Sequence, residues 1–142
     1  MLATGISVDQ VKGEVTRFWS VFSEKSSELM QAMYSPEASV FSTWNARPEP
    51  ARLTVARRER EYFHPKAAVR ATTGPIEVVL FGNALALATY TFQLHITQAQ
   101  VTSGRATETH IEQGRATQLF ALDPDQKLRI VHEHLSVPRK TL

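Results

Sequence analysis

From Ile76 to Val137 the chain shows no helical period. It reads as strand-like runs divided by turn signals. Ile76 to Phe81 is followed by Gly82-Asn83, a two-residue hairpin signal. Ala84 to Ile96 is a long strand whose Ala-rich first half needs close neighbours. Ser103-Gly104 marks the next turn, Arg105 to Leu122 returns, Asp123-Pro124-Asp125 turns again, and Leu128 to Val137 closes the series. A four-strand meander of this length must cover at least one face with something else. Gly114, inside a strand, predicts a bulge that would bend the sheet.

The N-terminal half supplies the cover. Ser7 and Gln10 fit a capping box. Val8, Val11, Val15, Phe18, Trp19 and Phe22 follow at helical spacing, with Lys12, Glu14, Arg17 and Ser20 opposite. Gly13 costs this helix about 1 kcal/mol relative to alanine. Leu29, Met30, Met33 and Tyr34 predict a second, short helix, ended by Ser35-Pro36. Ala38 to Trp44 predicts a strand. Leu53 to Phe63 predicts a third helix, with Arg57 and Glu61 paired across one turn and the charged run around them on a solvated face. Lys66 to Pro75 reads as a connector. Helices gathered on one side of a mostly antiparallel sheet make an α+β layer fold.

A length of 142 residues predicts one domain spanning 1–142, large enough to bury a core without staples. Sixteen basic against fourteen acidic side chains give a net charge of +2, too small and too scattered to indicate a nucleic-acid partner. The absence of cysteine excludes disulfides, thiolate nucleophiles and cysteine-ligated metals. The start, MLATGISVDQ, has neither the basic nor the apolar region of a signal peptide, and no apolar run approaches the ~20 residues of a membrane span. The expectation is a cytoplasmic protein with no membrane partner. The sequence has no phosphate-cradling glycine loop, serine-nucleophile motif or zinc-helix motif, so no cofactor and no metal are expected.

The last hairpin carries most of the candidate chemistry. Pairing Leu122 with Leu128 places Phe120–Ile130, Gln118–His132 and Ala116–His134 on one face. Leu119–Val131, Thr117–Glu133 and Arg115–Leu135 then share the other. Both faces are half apolar, so both need cover: helices on one side and, since no helix is left over, a partner subunit on the other. Arg115 and Glu133 on one face either bind a ligand or satisfy each other as a diagonal pair. A desolvated Glu133 would be a candidate base. His132 and His134 could ligate a metal only with a third ligand from His110 or His95. Their simpler reading is as hydrogen-bonded histidines of the core or an interface.

The ending GRATQLFALDPDQKLRIVHEHLSV, with the helical opening up to MYSPEASVF, resembles the nuclear transport factor 2-like superfamily. The nearest branch is that of the SnoaL-like and calcium/calmodulin-dependent kinase II association-domain-like proteins. The likeness runs from about Val8 to Pro138, and IVHEHLS is its most specific part. It implies a cone: helices over a strongly curved sheet, a deep pocket between them, and a homodimer through the outer sheet face. It places Arg115, Thr117 and Glu133 on the pocket face, with Thr89, Thr91 and Gln93 completing the lining; Trp44, at a strand end beside a loop, is the aromatic residue expected at the pocket mouth. A register shifted by one would turn His132 and His134 into the pocket as alternative bases. The base and oxyanion donors of the superfamily's ketosteroid isomerases find no match: Ser42 or Thr43 stands in the base region, Ala116 or Thr117 near the second aspartate, and the first helix has no tyrosine. The implied function is the binding of a small organic ligand, an acid if Arg115 meets it. The alternatives are a cofactor-free isomerase or cyclase, and an oligomerisation module like the kinase association domains.

Overall fold

A computed structural model describes residues 5–42, 45–63, 67–98 and 108–137, with the backbone alone at 98 and 108–110. Trp44 and the expected Ser103-Gly104 turn lie outside the described residues. Helix α1 (Val8–Ser23) starts with the capping box read from sequence. The Ser7 hydroxyl accepts from the Gln10 N–H at 3.1 Å, and the Gln10 side chain accepts from the Ser7 N–H at 2.8 Å. Val11, Val15, Phe18, Trp19, Val21 and Phe22 form its buried stripe. Helix α2 (Ser27–Ala32) starts earlier than its apolar residues suggest, because Ser26 caps it, and it stops before Tyr34. Helix α3 (Ala51–Glu61) buries Ala51, Thr54, Val55 and Arg58, a helical stripe with an arginine in it. The Arg57–Glu61 pair does not form as a salt bridge. Arg57 reaches back to the Glu49 carboxylate with two bonds, at 2.6 and 2.9 Å.

The sheet runs β2-β1-β7-β6-β5-β3, with β4 also on β5. Its strands are β1 (Tyr34–Phe41), β2 (Glu49–Pro50), β3 (Ala67–Thr73), β4 (Glu77–Phe81), β5 (Leu85–Gln98), β6 (Glu108–Leu122) and β7 (Leu128–Ser136). β1 lies parallel to β7 and the other pairings are antiparallel. Two sequence expectations fail here. Ser35-Pro36 does not end a helix but lies within β1, at an irregularity in its pairing where a missing N–H is tolerated. The expected connector after Lys66 contains β3, whose Ala67 and Val69 are buried. Alanine has weak strand propensity, so the alternation there carried little signal. β3 and β4 pair with successive halves of β5, interrupted at Gly74, whose N–H still bonds Thr91 O at 2.9 Å.

Gly114 does not form a bulge. It pairs directly opposite Phe92 in an unbroken ladder. A methyl group at Gly114 would lie 2.2 Å from Phe92 Cζ, so glycine is there to admit the ring. The irregularity lies one strand over. The β6–β7 register shifts between Leu119 and Phe120, leaving Val131 as the extra residue. Phe120–Ile130 and Leu122–Leu128 pair as predicted, but beyond the shift Gln118 faces Glu133 and Thr117 faces His134. The inner face of the curved sheet carries Ala86, Ala88, Tyr90, Phe92, Phe120 and Ile130, packed on α1. This is the α+β cone, with helices inside the curve of the sheet.

Candidate functional site

The register shift decides which residues enter the cone. Beyond it, every residue of β7 changes face relative to β6 compared with the predicted pairing. Glu133 points inward as expected and is fully buried. Arg115 and Thr117 do not accompany it. They lie on the outer face with Thr89, Thr91 and Gln93, their partners or neighbours across β5. The expected Arg115–Glu133 constellation is therefore corrected: Arg115 is exposed, and its Nε–H donates to Ser136 Oγ at 3.0 Å.

Glu133 finds its arginine elsewhere. Arg58, on the buried stripe of α3, donates from Nη2 to Glu133 Oε2 at 2.7 Å and from Nη1 to the Tyr34 hydroxyl at 2.6 Å. The Tyr34 hydroxyl in turn donates to the same Glu133 oxygen at 2.8 Å. Glu133 Oε1 accepts from Gln118 Nε2 at 2.7 Å, and Gln118 Oε1 accepts from the Tyr90 hydroxyl at 2.6 Å. Trp19 Nε1–H donates to that hydroxyl at 2.9 Å. A carboxylate can only accept, which fixes the Gln118 amide with its nitrogen toward Glu133. The chain of bonds satisfies each buried polar group it crosses, the condition for burying a charge pair at all. Arg58 also stands over the rings of Phe18 and Phe22, 5.8 and 5.9 Å from their centroids.

The electrostatics follow from the burial. Burial pushes the Tyr34 hydroxyl well up, with Glu133 adding to it against the opposing pull of Arg58. Burial alone would lower the Arg58 guanidinium, but Tyr34 and Glu133 outweigh it and hold the group charged. Tyr90 is raised by burial and then by Glu133.

Arg58 also lines a cavity of about 60 Å³ inside the cone, with Trp19, Phe22, Phe92 and Leu135 as apolar walls. Tyr62 and Glu112 stand in the same wall, the Tyr62 hydroxyl 3.3 Å from each Glu112 carboxylate oxygen. Glu133 is not part of the lining and stands behind Arg58 and Tyr34. The outer face holds two open depressions. One, of about 600 Å³, gathers Thr89, Thr91, Arg115, Thr117 and His134, and the other, of about 470 Å³, includes Thr91 and Gln93. The sequence-predicted polar residues thus assemble, but outside the cone.

His132 and His134 also face outward. Ser39 Oγ and His132 Nδ1 lie 2.8 Å apart, and both histidine rings contact Phe41. Among the described residues no group of three or more His, Asp or Glu could hold a metal. The His110 side chain is outside them. Among the described residues no helix is long and apolar enough to cross a membrane.

Sequence reasoning missed Arg58, Tyr34 and Gln118. For Arg58 a signal existed: it falls three residues after Val55 and seven after Ala51, on the one stripe α3 can bury.

No protein-family model matches the chain, and no curated protein matches it by sequence. Solved structures do match. The α+β fold is what they share with this chain. A nuclear transport factor 2-like superfamily protein from Salmonella enterica is 21% identical, with 94% of this chain and 92% of that one covered and a TM-score of 0.72. A Xanthomonas campestris protein named for a calcium/calmodulin-dependent protein kinase II association domain is 12% identical over 99% of both chains, TM-score 0.74. A Streptomyces avermitilis protein named as a dehydratase of the same family is 16% identical, with 94% and 97% covered, TM-score 0.73. The chain has the nuclear transport factor 2-like fold.

Proposed function

We propose that this protein binds a small, mainly apolar molecule in the cavity inside the cone, with a hydrogen-bond acceptor of the ligand on Arg58. One observation carries the reading. Arg58 is held rigidly from behind by Glu133 and Tyr34, yet it lines a cavity whose apolar wall is Trp19, Phe22, Phe92, Leu94 and Leu135 and whose polar wall includes Tyr62 and Glu112. Apolar walls with a few fixed polar groups are the usual make-up of a ligand site. Liquid water occupies ~30 Å³ per molecule, so about 60 Å³ takes a group of a few heavy atoms, with any larger remainder passing the rim. The test is a nitrogen–proton NMR titration with cyclopentanone as probe. Saturable shifts at the Trp19 indole N–H, abolished by the cavity-filling Leu135→Phe, are expected. Shifts confined to the outer face, or none at all, would refute the reading.

The names of the dehydratase-like neighbours invite an enzyme reading, an isomerase or cyclase needing no cofactor. Its acid–base groups would be Tyr62 and Glu112, which stand in the cavity wall. Glu133 is not presented to a ligand here, with three donors on its oxygens and no place in the cavity lining.

We also infer a homodimer through the outer sheet face. Val79 and Phe81 of β4 are 51% and 52% exposed. They stand opposite Leu87 and Leu85 of β5, which pair in turn with Leu119 and Ala121 of β6, so the exposed residues continue a partly apolar surface. An assembly module that forms rings, as in kinase association domains, is the competing use of the same face. The mass in solution separates the two.

A further inference from the structure

Arg58 presents hydrogen-bond donors to the cavity but no net charge. Its guanidinium is matched by the Glu133 carboxylate 2.7 Å away, and the two residues are 6% and 0% exposed. Arg57, the other arginine of the wall, is matched by Glu49 through two bonds. Glu61 and Glu112 place two further carboxylates in the same wall. An anion entering this space would lose its water without meeting an uncompensated cation, and buried charge without compensation is strongly disfavoured.

A neutral acceptor meets a different situation. Among the described residues Arg58 bonds Tyr34, Met30 and Glu133 through three of its five N–H groups. Its Nε–H makes none of these bonds. Ser27 Oγ is the only buried side-chain nitrogen or oxygen without a partner among the described residues, so Arg58 Nε is not sealed in. Arg58 is itself a lining residue of the cavity. A carbonyl oxygen could take that donor at little desolvation cost, and bonds from charged donors are about twice as strong as neutral ones.

We propose that the cavity selects a neutral carbonyl compound, such as a small ketone, aldehyde or ester, over a carboxylic acid, and that Glu133 sets this preference from behind Arg58. The inference rests on the proposed ligand site inside the cone. Glu133 acts here as a specificity-determining residue that touches no ligand.

The experiment compares three probes of equal heavy-atom number on the full chain: cyclopentanone, methylenecyclopentane and butyrate. Binding is followed by NMR at the Arg58 Nε–H and Trp19 indole N–H. Cyclopentanone should bind about tenfold tighter than the hydrocarbon, the value of one hydrogen bond from a charged donor. It should also bind tighter than butyrate and shift the Arg58 Nε–H. Glu133→Gln keeps an acceptor oxygen but uncovers the Arg58 charge, so the butyrate-to-cyclopentanone affinity ratio should rise at least about tenfold. Butyrate binding more tightly than cyclopentanone to the unaltered protein would overturn the inference while leaving the ligand site standing. So would an unchanged ratio in folded Glu133→Gln. If no probe binds the unaltered protein, the ligand site itself fails. If Glu133→Gln does not fold, the ranking on the unaltered protein decides alone.

Discussion

Arg58 Nη2 and Glu133 Oε2 lie 2.7 Å apart, although 75 residues separate them in the chain. The pair ties α3 to β7 through the middle of the cone, and its partners Tyr34 and Gln118 extend the tie to β1 and β6. Removing the cation alone strands a buried carboxylate. Arg58→Met should therefore cost about 3–5 kcal/mol in chemical denaturation. Arg58→Met combined with Glu133→Gln should be more stable than Arg58→Met alone despite carrying one more change. A double variant no better than the single one would show that the charge pair is not the source of the loss.

Gly114 and Phe92 form a fitted pair on the inner face. The alanine methyl would meet the ring at 2.2 Å, so Gly114→Ala should lose about 1–3 kcal/mol, the usual range for overpacking. Phe92→Leu in the same chain should recover part of that loss. Full stability of Gly114→Ala on its own would mean that the ring is free to move aside.

The fold was legible because its signals are local. The α1 stripe, the capping box and the turn at Asp123 are set by neighbours within a few residues, and each is present. The site was only half legible. Glu133 could be placed on the inner face, but one extra residue at Val131, invisible in any pattern of alternation, sent Arg115 and Thr117 to the other side. Arg58 was hidden differently. It sits in a run of alternating charge, Arg57 to Glu61, which resembles a solvated helix face, and only contacts from distant strands reveal that it is buried.

The chain's tyrosines are Tyr34, Tyr62 and Tyr90, and all three hydroxyls are raised, in each case first by burial. A raised phenol stabilises the folded state fully below its unfolded value of about 10, and that contribution is lost as pH climbs above it. Tyrosinate absorbance should stay absent as the pH passes about 10 and then emerge in one step with unfolding. A tyrosine ionising near its ordinary value in the folded protein would contradict the buried network.

Val79 and Phe81 supply the test of the outer face. Phe81→Asp should shift sedimentation from dimer to monomer while leaving the helical circular dichroism unchanged. A protein that is monomeric before substitution would remove the partner-subunit reading. A mass well above a dimer would favour ring assembly.

The central claim is that the ligand lies inside the cone on Arg58. A crystal structure grown with cyclopentanone tests it most directly. The account predicts density between Trp19, Phe92 and Leu135, with the carbonyl oxygen within hydrogen-bond distance of an Arg58 nitrogen. An empty cavity with the probe beside Arg115 on the outer face would contradict it.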